Sequence, residues 1–531
     1  MKTPAFPIRI GLVLLSVALA SGSAVAKPRH PNVASLSKNS REIYLTAMRW
    51  GDQSWDPETR FLRAPAPFNT SNPEPAEGHT PNHFMVRESS WYALGLLLRD
   101  QPGDRDRAAQ TLRAVLKQQF NDPAKPWDGT FRRSPEEPDP GTGAVMWRAY
   151  DPNWRVFIGT AFAMILTEYP DRIPAELNRD LLASINHAIE GEIKEGRLKP
   201  SYTNIALMYG SLWDFAATRG HRADWVDQSS QWRESVYKLF KQHDSFFEYN
   251  SPTYAGTDFY GLALWRDYGS TPRMRSMGSE MEAALWRATA DLYNANLRNI
   301  SGPYDRSYGM DMQSYVSVVG LCLRTVLDAH DAPLPNLDHP PVDHVADLFF
   351  IPNLVILDTE IPADAMKSFH ALQGEHPVHR QITDDRIATA WIGKNVIYGG
   401  EITNHTRGVD GASQFHPVTA QWQMPGGKIG WIQLTQTPPI DASATRGQLV
   451  ITASGDVHFR IFAPGVSSAQ LEEKMWTLPG LKVHVTTDAK GYTVQADKQF
   501  FEVAYTGMTI ERCGALRPFI WMHGTAEERV K

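Results

Sequence analysis

The hydrophobic rhythm of this chain changes once. From Ser40 to about His330, apolar residues recur at i, i+3, i+4 and i+7, one face of an α-helix. After Asp343 the period falls to two, with β-branched and aromatic residues alternating with polar ones. The first region predicts helices at Glu88–Leu98, Arg105–Phe120, Trp154–Glu168, Pro174–Lys194, Thr203–Ala217, Trp232–Lys241, Gly256–Trp265, Ser279–Leu292 and Met312–Leu327. Their short connections imply antiparallel neighbours. So many helices cannot share one bundle core. A ring of helical hairpins closing into a toroid solves this and leaves a cleft at one end, where the longer loops gather. An α-solenoid would need a fixed repeat period, and none is present. The second region predicts strands at Ile387–Tyr398, Val418–Gln423, Ile429–Leu434, Gln448–Ala453, Val457–Phe462, Val483–Thr487 and Phe500–Tyr505, a pattern suited to an antiparallel β-sandwich. The Pro- and Asp-rich stretch between the two reads as a linker. The expected fold class is mainly α, then all-β. An (α/α) toroid spans 30–332, a linker 333–343 and an antiparallel β-sandwich 344–531.

The first 26 residues stand outside that scheme. Lys2 and Arg9 precede the apolar run Ile10–Ala20, and Ala24-Val25-Ala26 offers a cleavage site, the pattern of a signal peptide over 1–26. The expected location is the periplasm or the exterior, with no membrane insertion after cleavage. A net charge of −6 without basic runs excludes nucleic acid as a partner. Cys322 and Cys513 are the only cysteines. A bridge between them would suit an exported protein, and Cys322 alone suits a helix core. No spacing of metal ligands is present, so no cofactor is expected, with a structural divalent metal left open.

Sixteen Trp and eighteen Tyr are many for this length, and many stand beside Arg, Asp, Asn or Gly. Such rings stack on the apolar faces of sugars while their polar tips stay hydrogen-bonded. The polar and aromatic residues of the helical half gather in five clusters. These are His83–Tyr92 (with Arg87, Glu88 and Trp91), Asp151–Arg155 (with Asn153 and Trp154), Ser201–Asn204, Phe246–Gly261 and Gly302–Gly309. The fourth is the most constrained. Pro252 biases Ser251 away from helix, and Gly256 lets the chain turn into the helix that follows. Tyr254 is thereby fixed at a helix mouth near Glu248 and Asn250.

In domain order the chain resembles the heparinase, alginate and hyaluronate lyase group of toroid-plus-sandwich polysaccharide lyases. Glu248-Tyr-Asn-Ser251-Pro-Thr-Tyr254 is similar to the stretch that bears the catalytic tyrosine of heparinase-like members, with one extra residue between Glu and Ser. Tyr260-Gly261 is similar to the Tyr-Gly of the hyaluronate type, and Arg306, in Tyr304-Asp-Arg306, resembles the arginine of that site. Asn204 is placed like the asparagine of the Asn-His pair in alginate-type members, but Ile205 follows it where the histidine is expected. His416 lies in the sandwich, which in related lyases reaches the cleft.

The resemblance implies β-elimination on an anionic, uronate-containing polysaccharide or oligosaccharide, giving 4,5-unsaturated ends. An amide or arginine would neutralise the uronate carboxylate, making the C5 proton acidic. Asn204, Asn153 and Arg306 are candidates. Tyr254 would be acid, base or both, with a nearby Arg favouring its phenolate. His83 or His416 would be a separate base. Arg87, Trp91, Asn153, Trp154, Arg155, Glu248, Asn250, Tyr304 and Tyr308 are expected to bind substrate. A glycoside hydrolase on the same toroid is the alternative. It needs two carboxyls across the scissile bond, and Glu88, Glu248, Asp258, Asp305 and Asp311 are available. A non-catalytic periplasmic glycan-binding protein is the third reading.

Overall fold

The computed structural model describes residues 30–65, 83–220, 222–338, 342–410, 414–497, 500–509 and 520–523. The expected signal peptide and Cys513 lie outside the described residues. Helices α1 (Lys38–Ser54), α2 (Val86–Arg99), α3 (Asp104–Leu116), α4 (Trp154–Glu168), α5 (Ala175–Glu195), α6 (Thr203–Arg219), α7 (Val226–Phe240), α8 (Tyr254–Tyr268), α9 (Pro272–Leu292) and α10 (Val318–Val326) form the toroid. Helices α2, α4, α6 and α8 pair with α3, α5, α7 and α9 respectively. They also contact one another in turn, α8 meets α10, and α10 meets α1, which closes the ring on α2. Composition decides which helix lies inside. In α2 every residue from Glu88 to Leu98 is buried, so that helix must be covered on all sides. In its outer partner α3 the apolar burial falls on Ala108, Ala109, Leu112 and Val115, a single face. Cys322 is buried in α10.

The expected domain boundary needs correction. Helices α11 (Ile351–Leu357) and α12 (Ala363–His370) follow the expected linker and pack on the toroid, α11 against α1, α2 and α8, and α12 against α9. The run Leu348–Leu357 is apolar at nearly every position because toroid helices surround it, so neither periodicity marks it. The β-domain begins at His376. The predicted strand Ile387–Tyr398 is two strands, Arg386–Ile392 and Val396–Ile402, joined by a tight turn.

Among the described residues the β-domain is one antiparallel sheet of fourteen strands that folds over itself into the two layers of a sandwich. Its hydrogen-bonded order runs from Leu471–Glu472 at one end to Gly491–Asp497 at the other. The ends meet across the core, where the Tyr492 hydroxyl donates to the Leu471 carbonyl at 2.8 Å. The Trp476 ring stands edge-on to Phe459 at 5.7 Å. Toroid and sandwich meet tightly. A Cβ on Gly399 would sit 1.9 Å from the Gly302 carbonyl oxygen, so the strand Val396–Ile402 can lie against the 301–303 loop only with glycine there. Backbone bonds join Tyr304 to His416 in both directions, at 3.0 and 2.8 Å.

Candidate active site

A cavity of about 630 Å³ opens at one end of the toroid. The N-termini of α2, α4, α6 and α8 deliver Arg87, Trp154, Asn204 and Tyr254 to it, the loops deliver Arg306, Tyr308 and His344, and the 3-10 helix Val345–Phe350 delivers Asp347. Tyr254, Asn204 and Arg306, expected to converge, line this one cavity.

Local chemistry fixes Tyr254. The Ser251 hydroxyl accepts from the Tyr254 N–H at 2.9 Å, starting α8. Asn250 has left-handed backbone (φ 49°), and its amide donates to the Ser301 and Pro303 carbonyls at 2.7 and 2.8 Å. Gly256 serves close approach rather than a turn, since a Cβ there would lie 2.4 Å from the Val318 backbone of α10. The Tyr254 hydroxyl accepts from Arg306 Nη2 at 2.9 Å and is hydrogen-bonded to the Tyr308 hydroxyl. Arg306 donates to Glu248 Oε1 at 3.0 Å and, through Nε, to Gln414 Oε1 of the sandwich at 3.2 Å. The Tyr308 ring stacks on His344 at 4.5 Å, and His344 Nδ1 stands 3.8 Å from Asp347 Oδ2. Asn204 Oδ1 accepts from the Ile205 N–H at 2.9 Å, which leaves its NH2 end to donate into the cavity. The expectation that arginine brings the Tyr254 phenol into the basic range is corrected. Burial, reinforced by Tyr308, pushes its pKa well above the usual value and outweighs the opposite pull of Arg306, so Tyr254 holds its proton.

Several of the other expected site residues lie elsewhere. Arg155 is buried behind the wall, held by Glu192 (3.0 Å), Glu195 (2.6 Å) and the Pro126 and Asp128 carbonyls. Tyr260 is buried with its hydroxyl on Met164 Sδ at 3.5 Å. Tyr304 is buried at the domain junction, its hydroxyl donating to the Ile300 carbonyl and accepting from Gln421 at 2.7 Å. Asn250 holds the loop and does not line the cavity. Glu248 stands behind Arg306. His83 is exposed outside the cavity, its Nδ1 2.8 Å from Glu136. Trp91 and Trp154 line the cavity but are 2% and 7% exposed, so they offer no open face. With Phe157 they enclose the Arg87 guanidinium at 4.7, 5.2 and 5.1 Å, a cation–π box. Asn153 lines the cavity, its amide donating to the Tyr202 hydroxyl at 3.0 Å.

His416 sits at the junction and does not reach the cavity. Its Nε2 lies 3.2 Å from the Ser307 carbonyl. Burial pushes its pKa down to about 4, against the smaller pull of the Ser307 and Leu434 carbonyls. The unfolded chain therefore binds a proton that the folded one refuses. Stability should be lost as pH falls from about 6.5 to about 4, by on the order of 3 kcal/mol from this residue. Melting curves across that range should fall more steeply for the wild type than for His416→Gln. Parallel curves would show that His416 is not the cause.

Of the carboxylates weighed for hydrolysis, Asp311 is bonded to Asn299, Gln313 and Ser314, and Asp305 to Tyr249, Arg386 and Arg407. Glu88 lines the cavity paired to Arg87 at 2.6 Å. Asp258 is buried behind it. The acids missed from the sequence are Asp151 and Asp347. Both line the cavity, and burial raises both above the usual carboxylate range while Arg87 pulls the other way. His344 was also missed. Its only sequence signal is an aspartate three residues on, at the edge of the expected linker. Among the described residues no cluster of side chains could hold a metal ion, and no helix is long and apolar enough to cross a membrane.

The endoglucanase CelQ from Clostridium thermocellum, solved in complex with cellobiose and cellotriose, aligns over 92% of this chain and 92% of its own. The identity is 10% and the TM-score 0.25, too slight a likeness to carry an argument. No curated protein matches the sequence. A family model described as a domain of unknown function (DUF8770) matches residues 370–514, the β-domain. A second, described as a domain of unknown function (DUF8769), matches residues 41–359, more than half of the chain and nearly all of the toroid, and the chain belongs to that family.

Proposed function

We propose that this protein is a polysaccharide lyase that cleaves a uronate-containing glycan by β-elimination. The observation that carries the reading is the Tyr254 hydroxyl, held in an open cavity by Arg306 and Tyr308 and kept protonated by burial. A protonated phenol beside a guanidinium suits the acid of an elimination. It gives its proton to the departing O4, and Arg306 stabilises the phenolate that remains. The Asn204 amide and Arg306 are the donors for the uronate carboxylate, whose neutralisation acidifies C5–H. With Ile205 in place of the expected histidine, the part of base falls to His344, the imidazole that lines the cavity among the described residues. It takes the C5 proton, the C5–H electron pair becomes the C4=C5 double bond, and the C4–O4 bond breaks. Asp347, near Nδ1, orients the imidazole. The protein would act in the periplasm or outside the cell.

Asp151 and Asp347 support a second reading, hydrolysis by two carboxyls of raised pKa. Incubation with a panel of uronate polysaccharides separates the two. Elimination gives new reducing ends together with the far-ultraviolet absorbance of the 4,5-unsaturated product. Reducing ends without that absorbance would replace the lyase reading with hydrolysis.

A further inference from the structure

Among the described residues, Trp147 is the one large aromatic of the cavity wall that is substantially open, at 47% exposed. Tryptophan is seldom left so uncovered, and here the backbone works to keep it so. Trp147 has left-handed backbone (φ 70°), which side chains other than glycine rarely adopt. Three bonds hold that conformation. The Trp147 N–H donates to the Tyr150 carbonyl at 2.8 Å, and Arg133 donates to the Trp147 and Arg148 carbonyls at 3.2 and 2.8 Å. Arg133 is itself paired to Glu137. The Arg197 guanidinium stands 5.8 Å from the ring centroid and donates to Asn153 Oδ1 at 2.8 Å. Asn153 and the Tyr202 hydroxyl, hydrogen-bonded to each other, line the same cavity and supply polar groups for sugar hydroxyls.

The geometry points to Trp147 as the stacking platform of a sugar subsite in the cavity, taking the apolar face of a pyranose ring of the substrate chain. The arginine-filled box of Trp91, Trp154 and Phe157 cannot take this part, because its rings are spent on Arg87. The proposal rests on a carbohydrate substrate, as above, but not on elimination. Its test is binding, read by tryptophan fluorescence and calorimetry on Tyr254→Phe protein, with uronate oligosaccharides and neutral cello-oligosaccharides as probes. Trp147→Ala should weaken the oligosaccharide that binds by about ten-fold, and Trp147→Phe by much less. In the Tyr254 protein, Trp147→Ala should raise KM by a similar factor with a smaller change in kcat. Unchanged affinity in Trp147→Ala, while the unsubstituted protein binds and cleaves uronate, overturns the platform and leaves the lyase reading standing. A Trp147-dependent affinity for neutral oligosaccharides alone keeps the platform and removes the uronate reading. No binding by any probe removes both.

Discussion

Tyr254→Phe should lower kcat on the cleaved glycan by roughly a thousand-fold, within the range lost when a general acid is removed. The substitution deletes one oxygen and keeps the ring under the Arg306 guanidinium, 3.8 Å from its centroid. The helix start stays intact, because Ser251 caps the backbone of Tyr254 and not its side chain. Thermal stability and oligosaccharide affinity should therefore stay near wild type, and the loss should fall on kcat. The same assay applied to His344→Gln should show a comparable loss. Turnover retained within ten-fold in Tyr254→Phe would remove the phenol from the chemistry. Turnover retained in His344→Gln alone would leave the acid in place and return the base to another group.

Arg386→Leu should cost about 3–5 kcal/mol of stability, the price of leaving buried carboxylates short of a cation. Arg386 is 5% exposed. It donates to Glu401 Oε1 at 2.8 Å, to the Phe247 carbonyl at 3.0 Å and to Asp305. Arg407 would be the remaining cation for both carboxylates. Burial and the Asp305 charge already raise the Glu401 pKa to about 7. Its folded pKa lies above its unfolded one, so the stability it lends is full at pH below about 4.5 and is lost as pH rises through 7. The cost of Arg386→Leu should accordingly be smaller at pH 5, where Glu401 carries a proton, than at pH 8. Urea midpoints followed by two spectroscopic probes at the two pH values measure this. Equal costs at both would mean that Glu401 is not the group left exposed to the loss.

The order helices-then-strands was legible because α3, α5, α7 and α9 show one apolar stripe and most strands alternate. The run 348–357 was not, because a helix wrapped on every side has no stripe to show, and α12 is too short for its stripe of Ala365 and Phe369 to repeat. Tyr254 and Arg306 were legible from clustering at a helix mouth and in a loop. Clustering alone could not separate lining residues from core. Tyr260 is six residues after Tyr254 on α8, which turns it about 240° around the axis and into the ring of helices. Arg155 follows Trp154 by one residue, about 100° of rotation, which sends it toward α5 and its glutamates. His344 enters by tertiary folding from ninety residues beyond Tyr254, and local pattern carries no trace of such a meeting. Trp147 stays open because of its backbone conformation, a property that side-chain composition does not encode.

The two family matches part company between residues 359 and 370, yet the cavity does not. Gln414 reaches from the β-domain to Arg306, and Arg386 ties Asp305, the neighbour of Arg306, to the carbonyl of Phe247, the neighbour of Glu248. The sandwich thus braces both ends of the Glu248–Arg306 pair from behind. Each half is matched by a model of its own, but a toroid without its sandwich would keep the residues of the cavity wall and lose what sets the angle at which they face the cavity. The two halves are one structural unit around the cavity, and exchange of either for a relative's would have to carry the matching face of the other with it.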